Sequence, residues 1–153
     1  MDETGLFFRC LPKRSYILGN EKESEVRGSK KMVDKNRVTL VVCCNATNSI
    51  KIPVAMIGKP KRPECFKYIK GCPLPYFSQP AAWMDAEMCQ LWFDQVFVPH
   101  VRRYTKKKIV LVWDNCPAHK IVNNHPDIEI VCLPKNCTSK HQPVHSIKES
   151  YGL

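Results

Sequence analysis

The sequence predicts an α/β protein in which helices cover the faces of a mixed β-sheet. The five apolar residues Ile109–Trp113 run directly into Asp114, a pattern typical of a parallel-sheet strand that is buried on both faces. Two β-rich runs at 37–44 and 50–57 are joined by a polar stretch of five residues, which predicts an antiparallel hairpin. Strands of both orientations, separated by helical segments, indicate a mixed sheet.

Length and composition favour a single domain that spans residues 1–153. The chain has 153 residues, of which 44% are hydrophobic and 25% are charged, values that are typical of a soluble globular protein with one core. No apolar run approaches the ~18 residues of a membrane span, and the polar start is not a signal peptide. Residues 13–36 are polar and are expected to form a mobile connector.

The remaining segments are assigned from local signals. Residues 4–11 have strand composition, with Asp2 just before them, whereas the Pro-rich residues 58–80 read as a loop. Asp85 is a good N-cap for a helix that Pro99 should kink or break. In the second hairpin run, Pro53 predicts an edge position or a bulge. Residues 117–124 could form a short helix, and residues 128–133 form a final strand.

The formal net charge of +10 indicates a polyanionic partner, with nucleic acid as the first choice and an anionic membrane as the second. Two groups of basic residues are candidates for the contact: one lies among aromatic residues in the 58–80 loop, and the other follows the helix. The aromatic residues could equally hold the loop on the core, and the helix dipole explains part of the second group. The candidates are Lys59, Lys61, Arg62, Arg102, Arg103, Lys106, Lys107 and Lys108.

Nine cysteines, an odd number without any C-x-x-C pair, argue against disulfides and for a reducing compartment. Most are expected to be small buried apolar residues. The exception is a loose cluster with spacings near those of small zinc sites. It consists of Cys132, Cys137, His141 and His145.

Two acidic residues suggest a metal site. Asp114 follows a predicted buried strand, at the sheet edge where α/β proteins bind ligands, although a turn or helix cap is the alternative there. Asp2 opens another strand, and the two carboxylates converge if these strands are neighbours. Hard oxygen ligands favour Mg²⁺ or Mn²⁺, and two such ions can clamp a phosphodiester. A third carboxylate is needed to balance their charge, while Asn115 and His119 could orient the cluster from outside it.

Several blocks of sequence, in order, resemble one known family. They include Asp2-Glu-Thr-Gly-Leu-Phe-Phe-Arg, Ile57-Gly-Lys-Pro-Lys-Arg-Pro, Ala82-Trp-Met and Asp114-Asn-Cys-Pro-Ala-His, together with the 37–46 run. From residue 2 to about 148 the chain resembles the DDE endonuclease domain of pogo/Tigger-type transposases, a domain shared with jerky and centromere protein B-like proteins. The resemblance implies a ribonuclease H-like fold, Mg²⁺ binding, and cutting and joining of DNA in the nucleus.

The resemblance also implies roles for individual residues. Asp2 corresponds to the first catalytic, metal-binding Asp and Asp114 to the second. The family's third acid ends a Gln-Pro-Leu-Asp segment, where this chain has His145. Neutral imidazole supplies no negative charge and prefers softer ions than Mg²⁺, and Glu149, one helical turn later, is a weak substitute.

Compared with the family, the chain is expected to be truncated at both ends. The resemblance implies that the N-terminal DNA-binding region, half of the strand that carries Asp2 and part of the last helix are missing from it. Three hypotheses follow: a catalytically impaired domain that binds nucleic acid, which we favour; an active Mg²⁺-dependent endonuclease or strand transferase; and a zinc-bearing interaction module.

Overall fold

A computed structural model describes residues 1–8, 36–70 and 72–134. The predicted connector at 13–36, except for its last residue, and the predictions for Cys137, His141, His145 and Glu149 lie outside these ranges. The described elements are strands β1 (Asp2–Leu6), β2 (Val38–Val42), β3 (Ala55–Gly58), β4 (Tyr76–Ser78), β5 (Ile109–Trp113) and β6 (Ile128–Cys132), and helices α1 (Ala86–Trp92) and α2 (Val98–Tyr104). Two 3₁₀ turns, Glu64–Phe66 and Pro117–His119, and a π-helical turn, Phe93–Phe97, complete the set.

The first four strands form one sheet in the order β1-β2-β3-β4. β1 is antiparallel to β2 over its full length, with Asp2 opposite Val42. β2 is antiparallel to β3, with Thr39 opposite Ile57, so the predicted hairpin is confirmed. The first strand is shorter than the 4–11 run predicted, since it ends at Leu6.

Pro53 lies at a bulge. Val41 pairs with Ala55 and Cys44 pairs with Lys51, so three steps along the first strand match four steps along the second. The second strand therefore has one extra residue between Lys51 and Ala55, the stretch that contains Pro53. A missing N–H at such a bulge costs no hydrogen bond between the strands. Of the two predicted positions, the bulge is therefore correct, because β3 is flanked by β2 and β4 and is not an edge strand.

β4 corrects the prediction that residues 58–80 contain no strand. It pairs in parallel with β3, with Ile57 opposite Phe77, and the Phe77 side chain is buried in the core. A strand of three residues is too short to show alternation. Its pairing depends on β3, a partner that the local sequence does not reveal.

The helical segment begins as predicted, and it is not broken at Pro99, where a kink or a break was expected. Asp85 caps α1 by accepting a hydrogen bond from the Met88 N–H at 2.9 Å. Pro99 lies in the first turn of α2, directly after the π-helical turn, so the segment is not broken. The Val98 N–H bonds to the Phe93 carbonyl, five residues back. This wider turn explains how the chain accommodates a proline ring that would otherwise clash with the preceding turn.

β5 and β6 form a two-stranded parallel sheet, with Trp113 opposite Cys132. The prediction that β5 is buried on both faces is wrong. Leu111 and Trp113 are buried, whereas Val110 is 53% and Val112 is 38% exposed. Only the alternate residues face the core, so apolar character alone overestimated the burial of this strand. The short helix predicted for 117–124 is also reduced, to the single 3₁₀ turn Pro117–His119.

One hydrophobic core joins both sheets to the helical segment. Its largest fully buried side chains are Trp92, Trp113, Phe93, Ile57 and Val41. The mixed α/β class is thus confirmed, while the ribonuclease H-like arrangement with helices on both faces stays a prediction. No helix in the described ranges has the length and apolar character needed to cross a membrane.

The cysteines of the described ranges are all free thiols, as expected. Their predicted burial holds only in part. Cys43 and Cys89 are buried, but Cys65 and Cys72 are exposed.

Candidate functional site

The start of the chain lies beside β5. The amino group of Met1 donates a hydrogen bond to the Val112 carbonyl at 2.8 Å, which brings the first residues of β1 to the strand that leads into Asp114. After Asp114, the chain turns back in the Pro117–His119 turn, where the His119 N–H bonds to the Cys116 carbonyl at 3.0 Å. This turn directs the His119 side chain towards both strands.

His119 links the two strands through two carboxylates. Its ring is almost fully buried, with Nε2 at 2.6 Å from Glu3 Oε1 and Nδ1 at 2.7 Å from Asp114 Oδ1. Nδ1 also lies 3.2 Å from the Asp114 carbonyl. The ring stacks on Trp113, with ring centroids 5.0 Å apart and planes 26° apart. The side chain is therefore held on two edges and one face.

The carboxylates favour the protonated form of His119. Burial lowers its pKa. The hydrogen bond and charge of Glu3, together with the carbonyl and carboxylate of Asp114, raise the pKa by more than burial lowers it. The net result is a pKa above the ordinary 6.5. A cationic imidazole between two carboxylates is a stable arrangement, because each buried charge has an opposite charge beside it.

Glu3 is the residue of this site that the sequence analysis missed. Adjacent side chains of a strand point to opposite sides, so only one of the neighbours Asp2 and Glu3 can point from β1 towards His119. The Asp2 carboxylate is buried and accepts a hydrogen bond from the Glu3 N–H at 2.9 Å. The acidic pair was visible in the sequence, but the choice between its members was not.

The described residues do not by themselves make a metal site. One observation favours a cation: Asp114 Oδ1 is buried and has no well-aligned hydrogen bond, although the His119 nitrogen lies near it. Against this, no group of three His, Cys, Asp or Glu side chains within 1–8, 36–70 and 72–134 could hold a metal ion. Two divalent ions need more negative charge than two carboxylates provide.

Of the remaining candidates for the metal and zinc sites, Asn115 and Cys132 lie within the described ranges. Asn115 is exposed, and the third-acid position, His145, lies outside the described ranges. In the proposed zinc cluster, the Cys132 sulfur accepts a hydrogen bond from Trp113 Nε1 at 3.3 Å. The other three members of that cluster are outside the part of the chain described.

The two groups of basic residues differ in their partners. Arg102, in the last turn of α2, lies 3.8 Å from Asp127, and Lys108, four residues after the end of the helix, lies 2.8 Å from Glu129. The Lys108–Glu129 pair raises the pKa of the lysine and lowers that of the glutamate. The other candidates on both surfaces are exposed: Arg103, Lys106, Lys107, Lys59, Lys61 and Arg62.

Comparison with known proteins gives a consistent result. The family described as "DDE superfamily endonuclease" matches residues 35–150. The chain is 36% identical over 154 residues to the human Jerky protein homolog, covering 94% of this chain and 26% of that protein. It is 34% identical over 137 residues to mouse Tigger transposable element-derived protein 4, covering 90% of this chain and 25% of that protein.

Similarity to a fission yeast protein covers almost the whole of this chain. The chain is 29% identical to CENP-B homolog protein 2 of Schizosaccharomyces pombe, over 99% of this chain and 30% of that protein. The chain thus spans about a quarter to a third of these relatives. No solved structure matches significantly. The chain belongs to the DDE superfamily of endonucleases, as a transposase-derived domain of the pogo/Tigger type.

Proposed function

We propose that this domain binds DNA in the nucleus and that its metal-dependent strand cleavage is impaired. The proposal of DNA binding is supported by the net charge of +10, which favours contact with phosphates. The family supplies the DNA-cleaving ancestry. In this proposal Asp2 and Asp114 are the remaining metal ligands and His145 is the residue that departs from the family pattern.

The observation that carries the proposal of impairment is His145, an imidazole at the position where the resemblance implies the third acid. Asp114 is the predicted second metal ligand, and its Oδ1 already lies 2.7 Å from a buried imidazole nitrogen. A divalent ion at this oxygen must compete with His119, whose raised pKa favours a positive charge. With an imidazole at position 145 as well, the site has too little negative charge for two divalent ions.

A plasmid-nicking assay tests the impairment. The 153-residue chain is incubated with supercoiled DNA and Mn²⁺ or Mg²⁺, and we expect no nicking at high protein concentration. Nicking by the wild type that is lost in Asp114→Asn would refute the impairment and establish the active endonuclease instead.

Restoring the third acid tests the cause. We expect His145→Asp to bind Mn²⁺ more tightly than the wild type in calorimetry, because the new carboxylate adds a hard, charged ligand. His141→Asp is the matched control, since it adds the same charge four residues earlier. Equal Mn²⁺ affinity in the two variants would show that position 145 is not the third ligand position.

DNA binding is measured separately, by retention on a DNA column at increasing salt. We expect elution only at high salt, because each phosphate contact releases counterions. Elution near physiological salt would count against the proposal. Metal analysis tests the alternative of a zinc module, which stoichiometric zinc in the purified protein would favour. Microscopy of a fluorescently tagged chain tests the location, and exclusion from the nucleus would contradict it.

A further inference from the structure

The connection between β3 and β4 forms an open groove of about 700 Å³. Its floor is apolar and is built from Phe66, Leu74, Pro75 and Tyr76. Three cations line it as well, Lys61, Arg62 and Lys67, with Glu64 as the only acid among the lining residues. An apolar, partly aromatic floor beside cationic side chains is the composition of a surface for nucleobases and phosphates.

Contacts with the sheet hold this groove in place. The Tyr76 hydroxyl donates to the Pro60 carbonyl at 2.6 Å, and the Ser78 hydroxyl donates to the Lys59 carbonyl at 3.0 Å. The rings of Phe66 and Tyr76 meet edge to face, with centroids 5.4 Å apart. A preformed surface loses less conformational entropy when a ligand binds.

Two of the five cations near α2, Arg102 and Lys108, have acidic partners, whereas the cations of the groove form no salt bridge within the described part of the chain. Between residues 59 and 70 the sequence has five basic residues and one acid. In the described ranges, the salt bridges of Arg102 and Lys108 have no counterpart at Lys61 or Arg62. Both side chains are exposed, so their charge is available to a polyanion without the loss of an existing pair.

Tyr68, which follows Lys67 in the same connection, provides an aromatic surface beside the groove. Its side chain is 88% exposed, and the Lys67 ammonium lies 5.6 Å from the centre of its ring. In a DNA duplex the bases are already stacked and paired, so the backbone alone would meet this surface. An unpaired base can instead stack on an exposed ring while its phosphate contacts a neighbouring lysine.

We propose that the groove between Lys61 and Tyr76 binds single-stranded DNA, with Lys61, Arg62 and Lys67 on phosphates and Tyr68 on a base. The inference rests on the proposed DNA-binding function and specifies its location and the form of DNA. It gives the domain a surface for an unpaired strand, distinct from Glu3, Asp114 and His119.

Fluorescence anisotropy with labelled (dT)₂₀ and a 20-bp duplex tests the inference on the full 153-residue chain. We expect the wild type to bind (dT)₂₀ more tightly than the duplex. The triple variant Lys61→Ala/Arg62→Ala/Lys67→Ala should bind (dT)₂₀ at least tenfold more weakly, and its salt dependence should fall by about two in log–log slope, since each single-strand phosphate contact contributes about 0.7. Tyr68→Ala should bind about tenfold more weakly with an unchanged slope.

The matched control is Arg103→Ala/Lys106→Ala/Lys107→Ala, which removes the same charge from the surface near α2. We expect this variant, on the other candidate surface, to weaken (dT)₂₀ binding less than the groove variant does. An equal loss would mean that the groove is not the preferred site for the strand, and would overturn the inference. So would tighter binding of the duplex, or a folded groove variant that binds like the wild type. In those cases the proposed DNA-binding function survives. A wild type that binds neither (dT)₂₀ nor the duplex overturns both the inference and the proposed function. Thermal unfolding confirms that each variant is folded.

Discussion

Replacing His119 by alanine should strongly destabilise the protein. The change removes two contacts of 2.6 and 2.7 Å with carboxylates and the stacking on Trp113. The hydrogen bond to the charged Glu3 contributes about 1.5–3 kcal/mol, the Asp114 carboxylate adds an electrostatic attraction, and the aromatic contact adds about 1 kcal/mol. The Glu3 and Asp114 side chains are 18% and 29% exposed, so water recovers part of the loss.

We therefore expect His119→Ala to lower the free energy of unfolding by about 3 kcal/mol, a large part of the 5–15 kcal/mol that is usual for a domain. Urea unfolding at pH 6, followed by the fluorescence of the buried Trp92 and Trp113, measures the change. Asn115→Ala, an exposed neighbour, is the control and should stay within about 0.5 kcal/mol of the wild type. A His119→Ala protein that is as stable as this control would refute the bridging role assigned to His119.

Three further predictions concern pH, packing and thiol reactivity. The fold raises the pKa of His119. The difference in free energy of unfolding between wild type and His119→Ala should therefore be greatest below pH ~6.5 and decrease as the pH rises through the raised pKa. A difference that increases with pH in urea titrations would contradict this. Gly58→Ala should cost about 1–3 kcal/mol, because the added Cβ would lie 2.5 Å from the Tyr76 hydroxyl oxygen. Adding Tyr76→Phe should recover part of that cost, and a neutral Gly58→Ala in thermal unfolding would disprove the contact. Burial, with smaller contributions from the charges of Glu3 and Cys116, raises the pKa of the Cys89 thiol to about 12. Iodoacetamide at pH 8 should therefore alkylate the exposed Cys65 and Cys72 well before Cys89, and peptide mapping that finds Cys89 modified first would rule this out.

Local signals in the sequence were sufficient for several elements. Asp85 caps its helix through the Met88 N–H, three residues away, and the polar stretch at 45–49 closes the β2–β3 hairpin. Pro53 marks a bulge because its missing N–H is a property of the residue itself. Each of these features depends on neighbours within a few residues, which is why the sequence shows them directly. The resemblance of whole blocks likewise identified the family that the comparisons confirm.

Tertiary contacts decided what local signals left open. β4 exists because it pairs with β3 across a long connection. The π-helical turn before Pro99 keeps the helical segment unbroken at a residue where the sequence allowed a break. β5 is half exposed because only one of its faces meets the core. Local periodicity does not report which partner a strand finds or which face it covers.

The candidate site shows the same division. The sequence by itself determined the positive charge, the position of Asp114 after a strand, and the presence of His119 close behind it. It did not determine that His119 would contact Glu3, a residue 116 positions away, while the adjacent Asp2 accepts a backbone N–H. The side of β1 that faces His119 depends on how distant strands pack, and that packing is set by the whole core and not by either segment alone.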